Sequence, residues 1–402
     1  MNRAADRSDK KALGLLKWGE FFKDFMLVLP VATLLYQSKG ITVGDFFLIQ
    51  GMFRVTSFLF EIPSGYISGA MSGRKVLLLG ATIWFAALAC LFRAHGFWQI
   101  AACEMAMGLS YALFSETQEA YAYDLLKRMG REKDFIKENG GIMAFSQAAS
   151  VIGVLLGGYL YAFVGDFIIA IEAAAAFLAV ICAWQLPELA EDERKTAPES
   201  SPLRRLAGVI KTSATHPEIK WLLIFPALSG SFAVVLMWIL QPAMEAARVP
   251  VAMFGIFLGL NQSARAALSK CARIIAGAFG GKKILPGCVL ALAAALGAVA
   301  AMPHAGDMAA VYALCAFAAI VPAAHSLCKT VTGNYIRERI RPAELGAVMS
   351  AGGMYSMFLS GGMLMLMKPL LDGFGIRTAM LAALSALAIT LVPLGKILRM
   401  KS

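Results

Sequence analysis

The residues of this sequence most able to do chemistry are ionisable side chains inside long apolar stretches. Glu20 and Asp24 are four residues apart, with Lys23 beside them, in the run GLLKWGEFFKDFMLVLPVATLL. An ionised side chain at mid-bilayer costs roughly 2.5–3.5 kcal/mol, so such groups face protein or water. This pair of carboxylates could hold a proton or a cationic group. The alternative is a neutralised cluster near the cytoplasmic end of a helix.

A second polar set recurs at helical spacing in the stretch 97–123. At about 100° per residue, one helical face carries Glu104, Tyr111, Ser115 and Glu119. A polar stripe through a bilayer is typical of a helix that lines an aqueous cavity, and we expect Glu104 to be functional. The alternative for Glu116 and Glu119 is a place near the inner mouth, paired with Arg128 or Arg131.

Arg54 and Glu61 lie in the next apolar stretch along the chain from Glu20. Arg54 is near mid-depth and needs a carboxylate partner; the candidates are Glu20, Asp24, Glu104 and Glu172. Glu61 lies in the cytoplasmic third, where we expect it to anchor helix packing or a loop.

The second half of the chain differs in the sign of its buried charge. One stretch carries Asn261, Gln262 and Arg265, and another carries His325 and Lys329. Lys329 could snorkel to the inner surface, and His325 could be an ordinary hydrogen-bonded histidine or a group that titrates near neutrality. Acids predominate in the stretches of the first half, so we predict a cavity polarised between the halves. That polarity suits a zwitterionic or amphipathic solute, or salt bridges that open and close.

These side chains must be positioned by membrane-spanning helices. Runs of about twenty apolar residues can cross a hydrocarbon core of about 30 Å, and the sequence predicts twelve. Their predicted limits are 15–37, 44–69, 76–94, 97–123, 140–163, 167–187, 219–241, 251–275, 284–302, 308–332, 343–366 and 374–398.

The composition excludes an ordinary soluble protein. Hydrophobic residues make up 59% of the 402 residues and charged residues 16%, against about 45–50% and about 25% in soluble domains. The net charge of +11 lies in short loops rather than on one face, so we expect no nucleic-acid partner. The sequence contains no catalytic, phosphate-binding or metal-ligand spacing, so we expect no enzyme activity, no cofactor and no metal.

The distribution of Lys and Arg predicts the orientation and the organisation of the chain. Most of the 37 basic residues fall in segments that are cytoplasmic if both termini are inside. The first span lacks a cleavage site and is retained. We predict six spans in 1–187, a cytoplasmic linker in 188–218 and six spans in 219–402. Within the linker, 203–211 could form an amphipathic surface helix or remain disordered.

An internal repeat relates the two halves. Shifting the chain by 208 residues places Gly69, Gly73 and Arg74 onto Gly277, Gly281 and Lys282, each time between two spans on the predicted cytoplasmic side. Two copies on the same side indicate parallel repeats related by an axis along the membrane normal.

The first copy resembles the loop signature of the major facilitator superfamily, since it carries Gly65, Gly73, Arg74 and Lys75. The signature's usual Asp is replaced by Gly69, so the latch that this acid provides in the family must be built otherwise. Three further segments resemble bacterial drug-efflux-like members of the superfamily: Glu61-Ile62-Pro63-Ser64-Gly65, Tyr121-Ala122-Tyr123-Asp124 and Trp238-Ile239-Leu240-Gln241-Pro242.

Two departures from the family pattern bear on mechanism. Glu104 stands where the family often has Arg, four residues before Gly108. The antiporter signature Gly-Pro-x-x-Gly-Gly is present as Gly153, Gly157 and Gly158 without its Pro. Both departures weaken the expectation of proton-driven export, although the glycines still permit close helix packing.

The resemblance implies an all-α membrane protein with twelve transmembrane helices in two pseudo-symmetric six-helix bundles. It implies a monomeric secondary transporter in the cell membrane, which is the inner membrane in a Gram-negative cell. We expect a proton-coupled exporter of drug-like molecules or metabolites; the alternatives are an uptake symporter for an organic acid or amino-acid-like solute, and a membrane protein without transport activity.

Overall fold

The structure, a computed structural model, describes residues 3–189, 216–279, 281–302 and 307–400. Within these ranges the secondary structure is helical throughout, with no strand. The predicted amphipathic segment 203–211 lies outside the described residues.

The first described range, residues 3–189, contains seven α-helices. They are α1 (Arg3–Lys23), α2 (Ala32–Ser38), α3 (Val43–Ala70), α4 (Gly73–Arg93), α5 (Phe97–Arg128), α6 (Phe135–Val164) and α7 (Ile168–Trp184).

The described residues from 216 to 400 contain seven more. They are α8 (Pro217–Ala246), α9 (Val251–Phe279), α10 (Ile284–Ala300), α11 (Met308–Ile320), α12 (Ala324–Arg339), α13 (Pro342–Ala386) and α14 (Leu391–Leu398). Helix α13 contains a turn at Gly375, where φ is 76°, a backbone conformation that favours glycine. That turn lies at the predicted junction of the last two spans.

Eight helical stretches of the described chain are long and apolar enough to cross a membrane. Two of them, Glu132–Trp184 and Val348–Leu398, each contain two of the predicted spans. Predicted spans 1 and 4 are not among the eight, because α1 and α2 are separated by a break and polar residues such as Gln99 and Glu104 lower the mean hydropathy of α5. The chain is therefore a multi-pass helical membrane protein, and the number twelve stays a prediction.

The first predicted span is interrupted rather than continuous. Helix α1 ends at Lys23, and regular structure resumes in a short 3-10 turn at Leu29–Val31. Pro30 explains the break, because its ring lacks an N–H and clashes with the preceding helical turn. The break leaves the backbone N–H groups before Pro30 in need of other acceptors.

The chain divides into two compact units. Unit 1 comprises Met1–Leu29 and Thr56–Arg205, and unit 2 comprises Pro30–Val55 and Leu206–Ser402. In unit 1, α1 packs on α6 and α7, and α4 packs on α5 and α7. In unit 2, α8 packs on α12 and α13, and α9 packs on α11 and α12. The units follow the predicted halves except for 30–55, which packs with the second half.

Candidate functional site

In unit 1, the charged residues of α1 form a compact cluster beside the break. Lys23 Nζ donates to Glu20 Oε2 at 2.5 Å and lies 3.8 Å from Asp24 Oδ1. The ammonium group also lies 4.6 Å from the centre of the Phe114 ring on α5. Asp24 accepts a hydrogen bond from Ser146 on α6. The predicted Glu20–Asp24 pair therefore exists, with Lys23 bound between the two carboxylates.

The break itself is held by two residues of other helices. Glu172 on α7 is buried, and its Oε2 accepts a hydrogen bond of 2.6 Å from the Val28 N–H. A buried N–H without an acceptor would cost about 1–3 kcal/mol. On α6, a Cβ at Gly153 would lie only 2.7 Å from Met26 N. This contact explains the first glycine of the predicted signature, and Gly157 and Gly158 are buried in the same helix.

The polar face of α5 is only partly accessible. Glu104 is buried and lies within electrostatic range of Glu172, whereas Tyr111 is 42% exposed and Ser115 and Glu119 are also exposed. Ser115 Oγ lies 3.5 Å from Glu61 Oε2.

Glu119 on α5 binds a neighbour other than Arg128 and Arg131, the two arginines that the sequence offers as its partners. Glu119 Oε1 accepts a hydrogen bond from Asn139 at 3.3 Å. Arg128 binds Asp9, and Arg131 binds Asp134 and Glu138. The side chain of Glu116 lies outside the described part of the chain.

The loop signature has the same geometry in both units. A Cβ at Gly73 would lie 3.1 Å from the Tyr121 ring, and a Cβ at Gly281 would lie 3.0 Å from Tyr335 Oη. Arg74 Nη2 donates to Trp184 O at the end of α7, at 2.7 Å. Lys282 likewise donates to the backbone oxygen of Met400, beyond α14. In each copy a basic side chain binds a carbonyl at or just beyond the end of its unit's last helix, where positive charge is favourable.

Lys75 follows the signature arginine but makes a weaker contact. Its Nζ lies 3.6 Å from Glu188 Oε1, and both side chains are more than half exposed. Gly65 and Gly69 lie on α3, and Asp124 lies on α5 and is partly buried.

We expect Arg74→Ala and Lys282→Ala each to lower the free energy of unfolding by about 0.5–1.5 kcal/mol, because each removes a hydrogen bond to a helix end. The measurement is thermal or denaturant unfolding of purified protein in detergent. Lys75→Ala and Lys283→Ala are matched controls one residue away, and exposed ion pairs contribute little. Equal losses in the controls would contradict this role.

In unit 2, the basic residues of α9 and α12 lie near one another. The charges of Arg265 and Lys329 interact with each other and with His325. Arg265 Nη1 donates to Gln262 Oε1 at 3.2 Å. The His325 Nδ1 lies 3.2 Å from Ser229 Oγ on α8. Asn261, the remaining predicted polar residue of α9, is buried.

Gln241 and Trp238, the two predicted site residues of α8, contact residues of α2 and α3. Gln241 is fully buried, and its Oε1 accepts hydrogen bonds from the Thr33 N–H and Oγ1 at 3.1 and 3.0 Å. Trp238 packs edge-on against Phe46, with ring centres 5.1 Å apart. Its buried indole N–H has no hydrogen-bond partner among the described residues.

Thr33 and Gln241 are separated by 208 residues, the same shift that superposes the loop signatures. Gln37 Nε2 and Glu245 Oε2, 3.1 Å apart, have this separation as well. Both contacts lie within unit 2.

The start of α3 packs closely on α13 in unit 2. A Cβ at Gly51 would lie 2.9 Å from Gly361 O, so the two helix backbones approach without intervening side chains. Near this crossing, Arg54 donates to Ser360 Oγ at 3.3 Å and contacts the sulfur of Met357. The carboxylate partner that we predict for Arg54 stays a prediction.

Beyond the crossing lies a group of four polar residues, which we call the Lys368 cluster: Thr42, Asp45, Lys368 and Asp372. Lys368 Nζ binds Asp45 on α3 and lies 2.9 Å from Asp372 on its own helix. Asp372 also accepts from Thr42 Oγ1 at 3.2 Å, and a Cβ at Gly44 would overlap its carboxylate. Asp372 therefore lies at the N-terminus of α3, where negative charge is favourable. None of the four is among the predicted site residues.

A multi-pass helical fold with charged clusters within its helices is typical of a polytopic membrane transporter. A family model described as Major Facilitator Superfamily matches residues 21–364. The chain belongs to this superfamily; it is a secondary transporter of small molecules in a lipid bilayer, not an enzyme.

Solved structures with the same fold include the nucleoside transporter NupG, with a TM-score of 0.79 at 12% identity over 98% of this chain and 100% of that chain. A POT family transporter in complex with 5-aminolevulinic acid has a TM-score of 0.72 at 14% identity over 96% of each chain. The human organic anion transporter MFSD10 has a TM-score of 0.58 at 17% identity over 96% and 99%. Identities this low show the fold alone. No curated protein matches the sequence.

Proposed function

We propose that this transporter is driven by protons and exports small organic solutes, either drug-like molecules or metabolites. The observation that supports it is the set of ionisable groups held inside the spans. Glu20, Asp24, Glu104 and Glu172 belong to unit 1 and are wholly or largely removed from solvent. Carboxylates in such surroundings are the usual proton carriers of membrane transporters.

The cluster around Lys23 is suited to a change of protonation. Two carboxylates share one ammonium group, so the cluster has an excess negative charge when both acids are ionised. A proton or a cationic solute group would neutralise it. Glu172 is the less suitable proton site, because its carboxylate holds the Val28 N–H at the break of the first span.

A second candidate function is proton-coupled uptake of an organic acid or an amino-acid-like solute. The basic residues in the spans of the second half, Arg265 on α9 and Lys329 on α12, favour it. The acid that these two helices contain, Glu338, lies in the last turn of α12. The similar structures include a transporter in complex with 5-aminolevulinic acid and an organic anion transporter. We further propose a monomer with both termini in the cytoplasm.

The direction of proton movement distinguishes the two candidates. Purified protein is reconstituted into liposomes that contain a pH-sensitive dye, and ethidium, adenosine or 5-aminolevulinic acid is added outside while solute entry is measured. An antiporter raises the lumenal pH as the solute enters, and a symporter lowers it. We expect a solute-dependent rise, reduced at least tenfold by Glu20→Gln. Solute entry without any proton movement would contradict proton coupling.

A further inference from the structure

Four of the described helix ends lie together at one end of unit 2. Arg339, the last residue of α12, binds Glu218 in the first turn of α8, with 3.0 Å between Nε and Oε2. Lys282, which precedes α10, donates to the backbone oxygen of Met400 beyond the end of α14. Its ammonium group also lies 5.4 Å from the centre of the Tyr335 ring on α12. These contacts bring the starts of α8 and α10 and the ends of α12 and α14 to one surface, which the charge distribution predicts to be cytoplasmic.

This surface carries an excess of positive charge, and we call it the basic surface of unit 2. Its acids with described side chains are Glu218 and Glu338, and both bind Arg339. With Glu344, whose side chain lies outside the described part of the chain, bases still outnumber acids by eight to three. All of these bases except Lys282 and Arg339 are exposed. The eight are Lys220, Lys282, Lys283, Arg337, Arg339, Arg341, Lys396 and Arg399.

The helix dipole explains only part of this excess. Basic residues in the last turn of α12 and at the end of α14 lie where positive charge is favourable. Lys220, Lys282 and Lys283 lie instead at the starts of α8 and α10, where the dipole disfavours positive charge. Three cations at the unfavourable ends of two helices indicate an anionic partner outside the protein chain.

The inner end of α5 in unit 1 differs, because its arginines bind acids of the chain itself. Arg128 binds Asp9, and Arg131 binds Asp134 and Glu138. Both arginines are also predicted to be cytoplasmic. An excess of positive charge over neighbouring acids is therefore a property of this end of unit 2 and not of every loop on the predicted cytoplasmic side.

Two aromatic residues place the basic surface at the level of the lipid headgroups. Trp221 and Tyr335 each lie four residues, about 6 Å, inside the end of their helix. The Tyr335 ring has the Lys282 ammonium at 5.4 Å and the Arg339 guanidinium at 5.3 Å. The Trp221 ring has the Lys220 ammonium at 5.3 Å. Such amphipathic rings lie at the membrane–water interface, so their basic neighbours are within reach of lipid phosphates.

We propose that the basic surface of unit 2 binds the headgroups of anionic phospholipids, of the phosphatidylglycerol type, in the leaflet on its side of the membrane. Clusters of Lys and Arg at the cytoplasmic ends of spans attract such lipids. Leu398 is 43% exposed beside Arg399 and offers a contact for the acyl chain, which a soluble phosphate could not use. Lipid binding of this kind goes beyond the proposed transport function, since it involves neither the solute nor the coupling ion.

The test adds lipid to the full-length protein in detergent and measures thermal unfolding. A ligand that binds only the folded state raises the melting temperature, and we expect phosphatidylglycerol to raise it by about 3 °C more than phosphatidylcholine with the same acyl chains. High salt should reduce this difference, because it screens exposed charges. Inorganic phosphate at the same concentration should have no effect. Equal stabilisation by the two lipids, or by phosphatidylglycerol and phosphate, would overturn the proposal.

Variants place the lipid on this surface. Lys220→Gln/Lys283→Gln/Arg399→Gln removes three exposed charges. It should weaken binding of phosphatidylglycerol about tenfold or more, measured by native mass spectrometry over a lipid titration. Lys220→Arg/Lys283→Arg/Arg399→Lys keeps the charges and should bind the lipid as the wild type does. If the first triple variant does not fold, Lys283→Gln/Arg399→Gln is measured, and unchanged lipid binding in it would overturn the proposal.

Unit 1 supplies a matched control. Lys11→Gln/Lys133→Gln/Lys137→Gln removes three exposed lysines that the charge distribution also predicts to be cytoplasmic. This variant should change lipid binding by less than about twofold, because screening limits the effect of distant exposed charges. A loss equal to that of the unit 2 variant would indicate attraction by net charge alone, and would also overturn the proposal.

Discussion

Replacing Gly153 with valine is expected to lower the free energy of unfolding by about 3 kcal/mol or more, and to abolish transport. A side chain at this position would lie 2.7 Å from Met26 N and 3.1 Å from the backbone carbons of Phe25 and Met26. These are backbone atoms, which cannot rotate away as a side chain would. Overpacking of this kind typically costs about 1–3 kcal/mol, and more where the neighbour is rigid.

The same helix provides a matched control for this prediction. Nothing lies within 4 Å of the Cβ position of Gly140, so Gly140→Ala should leave stability unchanged or raise it by up to about 1 kcal/mol through helix propensity. Gly153→Ala should already be destabilising. The measurement is thermal unfolding of each purified variant. A Gly153→Ala variant as stable as Gly140→Ala would show that the interrupted segment can move away.

Glu172 on α7 contacts the same interrupted segment of the first span. Its carboxylate binds the Val28 N–H, so the break at Pro30 depends on space from α6 and an acceptor from α7. Gly153, Glu172 and Pro30 are far apart in the sequence, and all three contribute to the break in the first span. Glu172, a candidate transport residue in the sequence, therefore has a backbone N–H as its partner in the structure.

The positions of most helices could be predicted from the apolar runs, because the length of such a run must match the thickness of the hydrocarbon core. They could not reveal the break in the first span, since the run from Phe25 to Leu35 is apolar whether it is helical or extended. Pro30 was the available signal. A proline inside an apolar run ends or bends a helix, and the N–H groups that it leaves behind need acceptors from elsewhere.

The loop signature could be found from the sequence because its two copies share a spacing. What each copy binds could not, since Trp184 and Met400 contribute backbone carbonyls that any residue would offer. The Lys368 cluster was missed for a different reason. Asp45 and Lys368 are 323 residues apart, and each alone is an ordinary charge near a span end. The 208-residue shift, applied to Thr33 and Gln37, gives Gln241 and Glu245, which are their partners in the structure.

Asp45→Asn is expected to loosen the packing of α3 on α13 and to favour opening of the end of the spans next to Lys39, which the charge distribution predicts to be extracellular. Lys368 binds two acids, and only Asp45 comes from the other helix. When α3 moves away, Lys368 keeps Asp372 four residues along its own helix, so opening leaves no unpaired cation. The cluster can therefore break at low cost and form again, which suits an alternating-access cycle.

The expected change is about fivefold in the ratio of open to closed protein, which corresponds to about 1 kcal/mol. The side chains are 23–36% exposed, so solvent screens the ion pairs and a larger effect is not expected. The measurement introduces Gln37→Cys and Glu245→Cys, whose native side chains are in contact. A short thiol cross-linker then captures the closed state, and the linked peptide is quantified by mass spectrometry.

Asp45→Glu keeps the charge and should retain most of the cross-linked fraction, whereas Lys368→Met should lose it as Asp45→Asn does. A purely structural role predicts a different pattern, with a lower melting temperature in Asp45→Asn and an unchanged cross-linked fraction in the folded protein. Because Lys368 depends on Asp372 as its remaining acid when α3 moves away, Asp372→Asn leaves this cation unpaired in the open state and should open this end less than Asp45→Asn does. The order of the four variants thus distinguishes a cluster that exchanges partners from one that only stabilises a helix crossing.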